Sequence, residues 1–132
     1  MRAISCGRMA AIIFLISGLP VCAHHSGAAE FDVNKKVDLT GVATKVEWTN
    51  PHAHFYLDVK DESGKVTSWN FELASPNVLI RNGWRRNSIK AGDTVSVSGI
   101  RAKDNSTYAS ASVITFPDGH KLNFLYADEP AK

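Results

Sequence analysis

Thiols are missing from nearly the whole chain. Of 132 residues only Cys6 and Cys22 are cysteine, and both precede residue 24, so the chain from His24 onward can form no disulfide framework, thiolate metal site or cysteine nucleophile. Net charge is missing too. With Arg2 and Arg8 set aside, thirteen Lys and Arg face thirteen Asp and Glu, whereas a nucleic-acid binder carries a basic surplus, so no nucleic-acid partner is expected. There is no internal repeat, no low-complexity segment, no glycine loop to cradle a phosphate and no glycine-flanked nucleophile elbow. No catalytic residue is assigned and no enzyme activity is read. A membrane-spanning run is also lacking: the apolar stretch Met9 to Leu19 is too short for a comfortable bilayer span.

That stretch belongs instead to an export signal. Arg2 and Arg8 with no acid, the apolar run, then Pro20 and the small-residue triplet Val21-Cys22-Ala23 describe a secretory signal peptide over residues 1–23, cut after Ala23. Two rivals exist, an uncleaved anchor and a lipoprotein signal with Cys22 as the first residue. Pro20 argues against the first, and Val21, where a smaller residue is expected, against the second. The expected address is the periplasm, with no membrane span left after cleavage.

The remainder reads as β structure. Residues 24–36 form an extended arm with Phe31 as its apolar anchor and a turn at Asn34-Lys35-Lys36. A first strand from Val37 to Trp48 places Val42, Thr44, Val46 and Trp48 on one side; Leu39 has the opposite parity, so a bulge or bend is expected at Gly41. Thr49-Asn50-Pro51 turns into a second strand ending near Lys60. Asp61-Glu62-Ser63-Gly64 is a hairpin turn, and Val66 to Leu73 returns with Trp69, Phe71 and Leu73 on one side. Ser75-Pro76 and Gly83 bracket a short helix, with Trp84 tucked beneath it. Arg85 and Arg86 read as a solvated loop pair or an anion contact. Two further strands come next, Thr94 to Ile100 and Tyr108 to Phe116, the latter with Ala109, Ala111 and Val113 on one side; a short strand at Lys121 to Leu125 comes last. Three meandering strands, a helix and two more strands are the order of an OB-like five-stranded Greek-key barrel over 37–126, with a tail at 127–132. A β-sandwich is the alternative.

The second strand carries the chemistry. Alternation puts Ala53, Phe55, Leu57 and Val59 on the core side and His52, His54, Tyr56 and Asp58 on the other, with the two imidazoles roughly 6.5 to 7 Å apart at Cα.

Several segments together resemble a known group. His24-His25-Ser26 behind a signal peptide, Thr40-Gly41-Val42, Glu47-Trp48-Thr49-Asn50-Pro51-His52, Phe71 to Asn77 and Lys90-Ala91-Gly92-Asp93-Thr94-Val95 are similar to an uncharacterised family of small exported bacterial proteins, a domain of unknown function. The resemblance covers nearly all of the chain after the signal. It implies a periplasmic address and brings no activity or ligand. The family more often has an aromatic residue at the position of His54, which makes His52 the firmer ligand.

If export trims the chain after Ala23, His24 offers an α-amine and an imidazole from one residue. The amine has an ordinary pKa of about 7.7 to 8.0, so a metal displaces its proton at modest cost. With one imidazole from the His52 strand this makes a three-nitrogen site resembling a histidine brace, and such a set favours Cu(II) over other first-row divalent ions. Zn(II) stays open as a second metal. The candidate metal ligands are therefore His24, His25, His52 and His54. Two other readings compete: a non-metal binding module using Trp48, Tyr56 and Arg101 for a small molecule, glycan or envelope protein partner, and a structural envelope protein without a ligand. His120, behind Asp118-Gly119, reads as a turn residue.

Overall fold

The computed structural model describes residues 30–124; the expected signal, the arm up to Ala29 with His24 and His25, and the tail lie outside them. Within that span the chain is mainly β. Its elements are β1 (Phe31–Glu47), β2 (His54–Lys60), β3 (Val66–Glu72), α1 (Pro76–Arg81), β4 (Thr94–Ala102), β5 (Tyr108–Thr115) and β6 (Lys121–Asn123). The strands form one sheet in the order β3-β2-β1-β4-β5-β6 with antiparallel neighbours, and a further parallel pairing joins β3 to β5. No helix among the described residues is long and apolar enough to cross a membrane.

The alternation read in β2 and β3 holds. Ala53, Phe55, Leu57 and Phe71 are fully buried, and Trp69 and Leu73 nearly so. Phe55 stacks on Phe71 at 5.2 Å between ring centroids. The hairpin closes where expected: the Asp61 carboxylate accepts from the backbone N–H groups of Ser63 and Lys65 at 2.9 and 3.0 Å, and Gly64 takes φ +87°, a conformation open chiefly to glycine.

Three expectations need correction. First, β1 begins at Phe31, not Val37, because Phe31 is 3% exposed and pairs with Ala102, and the Asn34-Lys35-Lys36 segment expected to turn runs as strand. The Lys35 ammonium donates to the Lys103 carbonyl at 2.9 Å and to Asn105 Oδ1 at 2.8 Å, holding that segment down. Second, the change of parity in β1 is real but its bulge lies between Ala43 and Lys45 rather than at Gly41. Ala43 therefore points into the core at 0% exposure while Val42 is 42% exposed, and the extra residue restores Val46 and Trp48 to the core side. Gly41 serves another purpose: a Cβ there would collide with the Asp58 carbonyl oxygen and lie 2.9 Å from its carbon, so glycine permits close approach of β1 to β2. Third, β5 carries a similar irregularity opposite Ser98 and Gly99, which skips Ser112. Ile114, not Val113, is the fully buried residue beyond it, and the Ser112 carbonyl accepts from the Phe124 N–H at 3.0 Å.

Helix α1 starts with Pro76 in its first turn and ends at Asn82, with Gly83 at φ +87° turning the chain away. Ser75 makes no side-chain cap. Trp84 is buried at 1% exposure and packs on Phe124 at 4.5 Å, which carries the segment after the helix into the core.

Candidate functional site

The outward faces of four strands meet in two rows. Register places Glu47 opposite His54, His54 opposite Glu72 and Glu72 opposite Ser110; the next row runs Lys45, Tyr56, Asn70 and Tyr108. Cross-strand neighbours on one face lie close enough for side chains to bond. Here they do. The Lys45 ammonium pairs with Glu47, the Tyr56 hydroxyl donates to Glu47 Oε2 at 3.2 Å, and the Tyr108 hydroxyl donates to Glu72.

At one end of these rows lies a cleft of about 420 Å³ lined by Glu30, Glu47, Thr49, Asn50, Pro51, His52, His54 and Glu72. The Thr49–Ala53 turn that forms its wall contains the cis Asn50–Pro51 peptide. His52 precedes β2, and its position is held by backbone bonds on either side of Ala53: Ala53 N–H to the Ala74 carbonyl at 3.2 Å, and Leu73 N–H to the Ala53 carbonyl at 2.8 Å.

Both imidazoles are anchored through the same nitrogen. His52 Nδ1 lies 2.7 Å from Glu72 Oε1, and His54 Nδ1 lies 3.0 Å from Asn70 Oδ1. A carboxylate or amide oxygen only accepts, so in each contact Nδ1 carries the hydrogen and a neutral ring keeps its lone pair on Nε2. The His52 side chain is 47% exposed while that of Glu72 is 15% exposed: the ring is open to solvent and its anchor mostly covered. His54 is half-buried and stacks on Tyr108 at 6.2 Å, whose other neighbour is Phe31 at 5.2 Å.

Electrostatics set the charge states of the surrounding groups. The hydrogen bond and charge of Lys45 hold the Glu47 carboxyl below its usual range, keeping it anionic. Burial first, and then the hydrogen bond and charge of Glu72, push the Tyr108 phenol far above its ordinary value. Tyr108 therefore remains a hydrogen-bond donor to Glu72 throughout the neutral range. Since its folded pKa is the higher one, the stability it contributes is complete below the unfolded value of about 10 and is lost as pH rises beyond it. Spectrophotometric titration of the three tyrosines should show a component that ionises only as the fold is lost and that disappears in Tyr108→Phe; simultaneous ionisation of all three near the ordinary value would refute this.

Of the four candidate ligands, His52 and His54 come together in the cleft, and His24 and His25 lie outside the described residues. Among the described residues no group of three or more His, Cys, Asp or Glu side chains is placed to hold a metal ion. Trp48, Tyr56 and Arg101 do not line the cleft. Trp48 packs against the core, and Arg101 sits 5.1 Å over Trp69 while donating to the Ser106 carbonyl at 2.8 Å. His120 is an exposed turn residue stacked on Phe116. Sequence reading passed over Glu47, Asn70, Glu72 and Tyr108. Counting back from the Asp61–Gly64 turn would have set Asn70 and Glu72 beside Tyr56 and His54.

Residues 13–111 match the model of a family of unknown function, DUF6152. The chain belongs to this family. The span matched to DUF6152 takes in all four candidate histidines and the turn at Asn50-Pro51, and it ends inside β5. No curated protein matches the chain.

Proposed function

We propose that the protein is exported, trimmed after Ala23, and binds Cu(II) in the cleft through His52 and the amine and imidazole of His24, with His25 and His54 as further donors and Zn(II) as the second metal. The observation that carries this reading is the pair of anchored imidazoles, each with Nδ1 bound to an oxygen and Nε2 left to ligate. Ligating histidines commonly donate their other N–H to a carboxylate or carbonyl, which fixes the ring and raises its basicity. Two nitrogens do not make a site, and the arm supplies the rest. Glu30 lines the cleft, and the six residues from His24 to Ala29 reach up to roughly 20 Å when extended. Phe31, buried against Tyr108, holds the base of the arm beside the site.

For the architecture we propose an OB-like five-stranded barrel. Its support is the β3–β5 pairing, which returns β3 to the strands at the other side of the sheet, together with the irregularities at Ala43–Lys45 and Ser98–Gly99; bulges bend and coil strands, as closure requires.

The test is Cu(II) titration of the processed protein. One equivalent should bind, His52→Ala should lose it, and Glu72→Gln should weaken it by about tenfold to a hundredfold, the usual cost of losing an outer partner of a metal ligand. Binding unaffected by His52→Ala would overturn the reading.

A further inference from the structure

The charged groups outside the cleft are distributed unevenly. Between Glu72 and Asp93 the chain has no acidic residue but contains Arg81, Arg85, Arg86 and Lys90. Three of these lie in or within five residues of the last turn of α1. The Arg85 guanidinium donates to the Trp84 carbonyl at 2.8 Å and reaches the Ile80 carbonyl at 3.5 Å, so it lies against the last turn of the helix next to Arg81. The Arg85–Ser88 turn is closed by two bonds, Arg85 N–H to Ser88 Oγ at 2.8 Å and Ser88 N–H to the Arg85 carbonyl at 2.9 Å, which keeps Arg86 on the same compact segment. Among the described residues no carboxylate pairs with Arg81, Arg85 or Arg86. Beside them Ile80 is 48% exposed, although its neighbour Leu79 is fully buried.

We infer that the patch formed by Ile80, Arg81, Arg85 and Arg86 docks the protein on an anionic phospholipid surface. This does not rest on the copper reading. Guanidinium forks match phosphate oxygens in geometry as well as charge, and an exposed branched apolar side chain among them suits a layer whose phosphates overlie hydrocarbon. An acidic protein partner would satisfy the arginines, but one exposed apolar side chain falls short of the apolar core that a protein interface carries.

Co-sedimentation of the full chain with vesicles tests it, comparing phosphatidylglycerol mixed into phosphatidylcholine with phosphatidylcholine alone. R81Q/R86Q leaves Arg85 to cap the helix carbonyls, and the difference from the parent cancels any contribution of residues 1–29. Each basic residue near an anionic surface contributes about fivefold in partition, so the double variant should bind about 25-fold more weakly. Binding of the parent should fall with added salt, and Ile80→Ser should weaken what remains. A double variant of unchanged circular dichroism that binds like the parent, or a parent-to-variant difference that is equal on the two vesicle types, would overturn the proposal. Capture by polyglutamate without vesicle retention would also overturn it, in favour of an acidic protein partner.

Discussion

Acetylating the α-amine of His24 in the processed protein lowers Cu(II) affinity by more than the roughly tenfold to hundredfold of an outer-partner loss. Acetylation converts the amine into an amide, which is far harder to deprotonate, and so removes the short chelate joining that nitrogen to the His24 ring. The lost chelate cannot be replaced locally. Among the described residues no third ligand stands with His52 and His54, and Glu47 is engaged by Lys45 and Tyr56. The measurement is competition against a chelator of known Cu(II) affinity, with intact mass fixing the first residue of each sample. Equal affinity for the two proteins would remove the terminal amine from the account.

Phe55→Ala should destabilise the fold by about 3 to 5 kcal/mol, the range for deleting a buried aromatic ring. Phe55 is fully buried and stacked on Phe71, which in turn stacks with Trp69 at 6.1 Å. It also lies between His54 and Tyr56 on β2, so the cavity opens directly behind the face that presents the site. Against a total stability of about 5 to 15 kcal/mol for a domain, that loss is large. Urea unfolding measures it as a shift of midpoint at constant slope. Val42→Ala is the contrast: Val42 is an apolar residue of β1 but 42% exposed, and its loss should stay within about 0.5 kcal/mol. Similar effects for the two would contradict the bulge at Ala43–Lys45.

What sequence reading could reach depended on the range of the interaction. The alternation of β2 and β3, the turn at Asp61–Gly64, the helix between Ser75 and Gly83 and the docking of Phe31 are set by neighbouring residues or by one strong apolar side chain. Where it erred, a partner distant in sequence decided. The bulge in β1 answers to its pairing with β2, and Gly41 answers to the backbone of Asp58; both looked alike as a glycine between two parities. In sequence Val113 alternates with Ala109 and Ala111, because nothing local reveals that Ser112 is skipped opposite Ser98 and Gly99. In the cleft, the histidines were visible as residue types, and the hairpin register would have added Asn70 and Glu72. Tyr108 could not have been found, since it reaches Glu72 only through the parallel β3–β5 pairing.

His52, anchored by Glu72, is proposed to ligate Cu(II) together with nitrogens of the processed chain start. Electron paramagnetic resonance of the Cu(II)-loaded processed protein reads those donors through their nitrogen couplings. A nitrogen-rich spectrum that loses a coupled imidazole in His52→Ala is expected; a spectrum dominated by oxygen donors, or one unchanged by that substitution, would rule out ligation by His52 and the chain start.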